Sequence, residues 1–209
     1  SNGINVIMDS VYNHVSDGGG FSYNRLVPSY FSRFHGPNDD WSRDNHCNSS
    51  GCGNDFATQR AMARKYIVDS ILYWVEEYHV DGFRFDLAGL IDAETMNEAI
   101  NTVHAKYPHV IFYGEGWEKT DSNMEGATPV SQYFASQVPE FAFFNHVMRD
   151  SAVGGEHEAS DEWGFGMGNS MRAETVMNSM RAINWGWANG WEGPMENPNQ
   201  VINYVACHD

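Results

Sequence analysis

The feature that most constrains the fold of this chain is an alternation of short apolar runs with amphipathic helical segments. The apolar runs, rich in β-branched or aromatic residues, lie at 4–9, 81–86, 109–115, 141–145 and 203–207. Strands that alternate with helices predict an α/β protein with a parallel sheet. No glycine-rich phosphate-binding loop follows any of these runs, so the pattern favours an α/β barrel over a nucleotide-binding doubly wound sheet.

Apolar side chains at helical spacing predict two helices between the strands. The first spans 61–78, and its apolar face carries Ile67, Ile71, Trp74, Val75 and Tyr78, with Trp74 expected in the core. The second is expected to begin at Asp92 as its N-cap and to end before Pro108. Its apolar stripe consists of Met96, Ala99, Ile100 and Val103. A further helix is predicted over 174–183.

The run at 81–86 reads Asp-Gly-Phe-Arg-Phe-Asp and predicts a strand with two different faces. Phe83 and Phe85 alternate with Arg84 and Asp86, so the aromatic pair and the charged pair point to opposite sides of the sheet. A guanidinium beside a carboxylate favours the ionised acid, which can act as a nucleophile at the end of a strand. The charged pair is also what an internal salt bridge would require, and these six residues leave both readings open.

Carboxylates end three of the predicted strands, at Asp86, Glu115 and Asp209. The strand ends of a parallel barrel converge on one rim, and two carboxylates that share a pocket are the minimum apparatus for glycoside hydrolysis. Arg84 favours the ionised form of Asp86, which is therefore the predicted nucleophile. Glu115 has no cation within its own strand and faces like charges, which favour its protonated form. Glu115 is therefore the predicted acid/base.

Other strand-end residues predict contacts to a sugar. His14 and His208 each lie near one of the carboxylates and can both donate to and accept from hydroxyl groups. Among the seven tryptophans, Trp117 is the best placed to contact the apolar face of a sugar ring, because it follows Glu115 by two residues. A metal site is an alternative for the end of the first strand, because Asp9, Asn13 and His14 offer a mixed oxygen and nitrogen ligand set.

Composition excludes some classes of partner. The formal net charge is −16, from 12 Lys and Arg against 28 Asp and Glu, which argues against nucleic acid or an anionic membrane surface. No apolar run approaches the roughly 18 residues of a membrane-spanning helix. Three cysteines do not make a disulfide framework. Cys47 and Cys52 could pair in an oxidising compartment, and Cys207 is expected to be a small core residue.

Four motifs, in order, resemble the ordered sequence regions of the α-amylase superfamily, glycoside hydrolase family 13. They are DSVYNH at 9–14, GFRFD at 82–86, GEGW at 114–117 and YVACHD at 204–209. Within that family the motif GCGND at 51–55 and the strand-end sequences at 113–117 and 203–209 look most like type I pullulanases. The resemblance runs over essentially the whole chain.

The resemblance implies a (β/α)₈ TIM barrel in which these motifs end strands 3, 4, 5 and 7. It implies that Asp86 is the nucleophile, Glu115 the general acid/base and Asp209 the carboxylate that stabilises the transition state. The remaining positions are implied as substrate contacts or as supporting residues. The implied substrate contacts are Arg84, His14, His208, Trp117 and Tyr12, and the supporting residues are Asp9 and Asn13. The counterpart of Asn13 binds calcium in many amylases, a role not assumed for this chain.

The resemblance also sets an expectation for the extent of the domain. Residues 1–209 are expected to be part of a single catalytic barrel domain that contains strands 3 to 7 and a long loop insertion at about 16–57. An open piece of a barrel exposes unpaired strand edges, so we expect the isolated fragment to be poorly stable and inactive and its parent to be active. Secretion and a cytoplasmic location both fit the acidic composition.

The implied reaction is hydrolysis of α-1,6-glucosidic linkages in pullulan and branched α-glucans by a retaining double displacement, with no cofactor required for the chemistry. One alternative is another enzyme of the same superfamily, either an α-1,4-acting amylase or an isoamylase-type debranching enzyme. A more remote alternative is a non-catalytic α-glucan-binding protein. The presence of the three carboxylates, Arg84 and both histidines disfavours it, because function resides in the site and not in the fold.

Overall fold

The computed structural model describes residues 3–36, 45–117, 119, 121–154, 163–182 and 197–207. The chain divides into two compact units, Ser1–Phe141 and Ala142–Asp209. The first unit contains, in order, β1 (Ile7–Ser10), β2 (His14–Val15), α1 (Ser22–Leu26), β3 (Asn54–Asp55), α2 (Ala61–Tyr78), β4 (Gly82–Phe85), α3 (Ala93–His104) and β5 (Ile111–Gly114). The second unit contains β6 (Ala142–Asn145), α4 (His146–Val153), α5 (Ala173–Met180) and β7 (Val201–Asn203).

Strand β4 lies between β1 and β5 in the first unit, and both of its pairings are parallel. In this register Asp9 is level with Arg84 and Arg84 is level with Tyr113. The carboxyl ends of the three strands therefore lie side by side. In the second unit β6 and β7 also pair in parallel. The predicted α/β fold with a parallel sheet is confirmed.

Helices α2 and α3 match their predictions closely. Helix α2 has the predicted bounds and buries Ile67, Ile71 and Val75. Helix α3 begins after Asp92, whose side chain accepts a hydrogen bond from the backbone N–H of Thr95. This cap satisfies one of the free N–H groups of the first turn and fixes where the helix starts. All four residues of the predicted apolar stripe of α3 are buried.

Two predictions about burial in these elements are wrong. The residues 5–9, a short apolar run without alternation, predict a fully buried strand. In strand β1, however, Asp9 is exposed and only Ser10 is buried, because in the described sheet β1 has a partner strand on one side, β4. Trp74 is half-buried and not in the core: its ring lies 4.6 Å from that of Tyr78, which is exposed. Tyr78, which was also predicted on the apolar face of α2, therefore lies at the surface.

The strand predicted at 203–207 begins two residues earlier and is shorter, Val201–Asn203. A short 3₁₀ turn over Pro198–Gln200 precedes it directly, because proline favours the first position of such a turn. Cys207 is exposed, so its predicted place in the core is wrong. Helix α5 ends at Met180, short of the predicted 183, and Ala182 adopts a positive φ of 58°.

The long segment between β1 and α2 is packed by its own aromatic side chains. Phe31 stacks on Phe56 with ring centroids 5.9 Å apart, and Phe21 and Tyr23 contact the same group. Strands β2 and β3 pair antiparallel and bring the two ends of the segment together. Cys47 and Cys52 are free thiols, of which Cys47 is buried. None of the helices in the described ranges has the length and apolar character needed to cross a membrane.

Candidate active site

The candidate site lies at the aligned carboxyl ends of β1, β4 and β5. The backbone N–H of Asp86 donates to the carbonyl of Ser10 at 3.0 Å, and that of Glu115 donates to the carbonyl of Phe85 at 3.1 Å. The sheet ladder therefore continues for one residue beyond β4 and β5. Since this residue is the carboxylate in both cases, the main chain itself sets the two acids side by side.

Arg84 is at the centre of the site, with only 6% of its surface exposed. Its Nη1 donates to Asp9 Oδ1 at 2.9 Å and to Asp86 Oδ1 at 3.2 Å, and its Nη2 donates to Glu115 Oε1. Burial lowers the pKa of Arg84, but the hydrogen bond to Asp9 and the charges of Glu115, Asp9 and Asp86 outweigh it and hold this pKa above its usual value. One fixed cation thus holds three carboxylates together.

Glu115 has no cation within its own strand, as predicted, but it has a cationic partner on the neighbouring strand. Glu115 is 6% exposed, and its Oε1 accepts from Arg84 of the neighbouring strand. Its Oε2 accepts from the backbone N–H of Leu87 at 2.8 Å. The partner comes from β4 and not from β5 itself, because parallel pairing makes residues on adjacent strands neighbours.

Asp86 is fixed from a second side by Asn13. The Nδ2 of Asn13 donates to Asp86 Oδ2 at 2.8 Å and to the carbonyl of Asp86 at 2.6 Å. The side chain of Asp86 retains 28% exposure, so the carboxylate is oriented while one edge stays open to solvent. Asn13 itself is fully buried, and its Oδ1 is hydrogen-bonded to Nδ1 of the half-buried His14.

The side-chain oxygen of Asn13, the atom with which an asparagine ligates calcium, is hydrogen-bonded to Nδ1 of His14 in this structure. The alternative metal set of Asp9, Asn13 and His14 is not assembled, because Asp9 faces Arg84 and Asn13 faces Asp86. Across the described ranges, no three His, Cys, Asp or Glu side chains are grouped closely enough to hold a metal ion.

The other predicted site residues divide into three groups. Trp117 is half-buried two residues beyond Glu115. Tyr12 does not direct its hydroxyl at the carboxylates: the hydroxyl is 2.8 Å from Ser70 Oγ of α2, and the ring packs 6.2 Å from that of Phe85. Burial raises the pKa of the Tyr12 phenol. Asp209 and His208 lie outside the described residues.

Several residues that touch the site were not predicted from the sequence. Tyr113 is level with Arg84 on β5; burial raises the pKa of its phenol, Arg84 lowers this pKa, and Asp9 raises it. The alternation within β5 places Tyr113 on the Arg84 face, so this signal was present in the sequence. Leu87 and Gly89 contact Glu115 through their backbones, which side-chain chemistry does not reveal.

No protein-family model matches the chain. The pullulanase of Bacillus subtilis (strain 168) is 36% identical over 211 residues, an alignment that covers 99% of this chain and 27% of that protein. The chain resembles the crystal structure of type I pullulanase from B. subtilis complexed with maltose, with a TM-score of 0.85, 35% identity and coverage of 99% of this chain and 28% of that one.

The chain is also similar to the crystal structure of a pullulanase from Paenibacillus barengoltzii in complex with maltohexaose and α-cyclodextrin. That match has a TM-score of 0.84 and 37% identity, and it covers 99% of this chain and 31% of the other. The chain therefore spans between about a quarter and a third of the length of these relatives. Each of these three matches covers 99% of the present chain.

Proposed function

Because the chain belongs to the pullulanase-like glycoside hydrolases, we propose that the protein of which it is part hydrolyses α-1,6-glucosidic linkages in pullulan and branched α-glucans. The proposal rests on one observation: Arg84 is hydrogen-bonded to both Asp86 and Glu115, which lie at the ends of adjacent parallel strands. Two carboxylates held side by side can divide the roles of nucleophile and acid/base in glycoside hydrolysis. The relatives complexed with maltose, maltohexaose and α-cyclodextrin support an α-glucan as the substrate.

Asp86 has the environment that a nucleophile needs. Arg84 and Asn13 donate to its two carboxylate oxygens, which fixes the direction of the carboxylate. Its open edge leaves a path for attack on the anomeric carbon of a sugar. In the proposed first step Asp86 forms a covalent glycosyl ester while the glycosidic oxygen leaves.

Glu115 is proposed as the acid that protonates the leaving oxygen and as the base that then activates water. Both of its oxygens accept hydrogen bonds in the structure, from Arg84 and from the N–H of Leu87. These donors suit the anion that exists after the proton has been given away. They support the second half of the cycle, in which ionised Glu115 takes a proton from water and the ester to Asp86 is cleaved with net retention.

The rest of the site is proposed from the resemblance together with the strand order. We place β1, β4 and β5 as strands 3, 4 and 5 of a (β/α)₈ barrel, within a single catalytic domain that carries an insertion at about 16–57. Asp209 is proposed as the third carboxylate, and His14, His208 and Trp117 as sugar contacts. The packing of Tyr12 against α2 supports a structural role for that residue.

The test is an assay of the purified full-length protein on pullulan. We expect release of maltotriose, with the new reducing end first appearing as the α-anomer in proton NMR. Faster attack on linear amylose than on pullulan would favour an α-1,4-acting amylase. Attack on branched glucan without attack on pullulan would favour an isoamylase-type enzyme. Binding of maltotriose without turnover of any of these substrates would contradict the proposal and favour a glucan-binding protein.

A further inference from the structure

The turn that follows Asp86 approaches Glu115 with its backbone. Leu87 has φ 35° and ψ 53°, a left-handed conformation that a branched residue rarely adopts and that costs conformational energy. In this conformation its N–H donates to Glu115 Oε2 at 2.8 Å. Strain of this kind persists where the surrounding structure holds it in place.

Gly89 holds the same turn against the Glu115 segment. Its N–H donates to the carbonyl of Glu115 at 3.1 Å. A Cβ at this position would lie 1.9 Å from the carbonyl oxygen of Trp117 and 2.9 Å from its carbonyl carbon. Both are backbone atoms, so any other residue would push the turn and the segment 115–117 apart. Glycine is required here because of this close approach.

Arg33 holds the far end of the turn. It is 1% exposed and belongs to the long segment between β1 and α2. Its Nη1 donates to the carbonyl of Leu90 at 2.8 Å and to Ser122 Oγ at 3.0 Å, and its Nη2 donates to Thr58 Oγ1 at 2.9 Å. A buried guanidinium with these partners ties three stretches of chain together.

We propose that the turn 87–90, held in place by Arg33, is a positioning device that sets the direction and the proton affinity of the Glu115 carboxyl. This inference rests on the proposed function, in which Glu115 is the acid/base. A backbone N–H held in a strained turn cannot rotate away as a side-chain donor can. The device therefore keeps Oε2 fixed while Oε1 faces Arg84.

The proposal has a direct consequence for the pH dependence of the reaction. Among the residues that the structure describes, the charged and titratable groups around Glu115 include Arg84 and Asp86 from β4 and its end, Asp9 from β1 through Arg84, and Tyr113 from β5. A hydrogen bond to a carboxylate favours its ionised form, so loss of the Leu87 N–H bond favours the protonated acid. The basic limb of the kcat/KM profile, which reports the acid in the free enzyme, then moves to higher pH.

The test is Gly89→Ala in the full-length protein, with Gly36→Ala as the matched control. Among the residues that the structure describes, the Cβ added at Gly36 meets only the end of the Asn45 side chain, with Oδ1 at 2.9 Å, and this side chain can move aside. For Gly89→Ala we expect kcat to fall by about tenfold to a hundredfold with a much smaller change in KM, and the basic limb to shift upward. We expect the control, Gly36→Ala, to keep the kcat and the pH profile of the unaltered protein. A crystal structure of the variant is expected to show Leu87 N and Glu115 Oε2 more than 3.5 Å apart.

Arg33→Gln is a second variant that loosens the turn from its other end. It is expected to move the basic limb in the same direction by a smaller amount, because Gly89 still holds the turn. The proposal would be overturned if the basic limb of the pH profile did not shift in either variant. It would also be overturned if Gly89→Ala lowered kcat while its crystal structure retained the hydrogen bond between Leu87 and Glu115. If the unaltered protein does not act on pullulan, the proposed function fails, while the crystal structure of Gly89→Ala still tests the positioning.

Discussion

The two faces of strand β4 are equally buried but are built from opposite chemistry. On one face Phe83 and Phe85 are fully buried, with Phe112 5.6 Å from Phe83 and 6.3 Å from Phe85. On the other face Arg84 is also buried, and its guanidinium holds Asp9, Asp86 and Glu115. The aromatic face gains stability from the area that it removes from water.

The charged face gains little stability by comparison, because removing charges from water offsets most of their mutual attraction. The charged face instead orients its carboxylates, because each of them accepts a hydrogen bond from a defined donor. One four-residue strand thus serves both purposes, since its alternation separates the packing residues from the chemical ones. Changes on the two faces are therefore expected to affect different measurements.

The largest expected effect is on the charged face. Asp86→Asn in the full-length protein keeps the shape and the contact to Asn13 but removes the negative charge that attacks the sugar. We expect kcat on pullulan to fall by about a thousandfold or more, while the affinity for maltotriose measured by calorimetry changes little. Asp69→Asn is the matched control, because Asp69 pairs with Lys65 on the exposed side of α2. If Asp86→Asn retained its turnover, the assignment of Asp86 as the nucleophile would be refuted.

On the aromatic face, Phe85→Ala is expected to act on stability. The side chain is fully buried among Phe83, Phe112 and Phe141, so its removal leaves a cavity. We expect the free energy of unfolding to fall by about 3–5 kcal/mol, measured by denaturant titration. The milder substitution Phe85→Leu should lower the free energy of unfolding by clearly less. A loss of kcat in folded Phe85→Leu as large as that of Asp86→Asn would contradict the separation of the two faces.

Arg84→Lys is a smaller change on the charged face. A lysine keeps the charge but lacks the planar fork that lets Arg84 donate to Asp9, Asp86 and Glu115 at once. We expect kcat/KM on pullulan to fall by about tenfold to a hundredfold. The control is Arg64→Lys, since Arg64 pairs with Glu94 at the start of α3, away from the strand ends. Equal losses in the two variants would show that general stability and not the site is affected.

The smallest expected effect lies outside both faces, at the ion pair of Arg60 with Glu125. The hydrogen bond from Arg60 holds the pKa of Glu125 below its usual value of 4.5, against the opposing effect of burial. A depressed folded-state pKa adds stability that is present above the unfolded pKa and is lost as pH falls through the folded pKa. Glu125 is 45% exposed, so Glu125→Gln should cost less than about 1 kcal/mol at pH 7. The difference from the unaltered protein should shrink below about pH 4, and a constant difference would contradict this cause.

Periodicity within a segment was enough to predict the local elements. The bounds of α2, the Asp92 cap of α3 and its buried stripe follow from spacing and capping chemistry that lie in consecutive residues. The ends of the sheet strands were less predictable: β1 is partly exposed and β7 starts at Val201. Burial of a strand depends on neighbouring strands, and the strand's own residues do not contain that information.

The site was predictable to the extent that its chemistry lies at strand ends. Asp86 and Glu115 were identified as a pair, and the parallel register places them side by side. The donation from Arg84 to Glu115, the strained Leu87 and the close approach of Gly89 to Trp117 were missed. Each depends on chain segments that meet only after folding, and two of the three act through backbone atoms that every residue type shares.

Trapping the covalent glycosyl intermediate would identify the residue that attacks the sugar. In the Glu115→Gln variant of the full-length protein, Asp86 should still attack a sugar whose leaving group needs no proton. An α-maltosyl fluoride should therefore transfer its maltosyl group to the enzyme. Without its base, the variant should release the sugar slowly. Peptide mass spectrometry is expected to find one added maltosyl group on the peptide that contains Asp86, attached at that residue. Attachment at any other residue, or rapid release of β-maltose without an adduct, would contradict a retaining mechanism with Asp86 as the nucleophile.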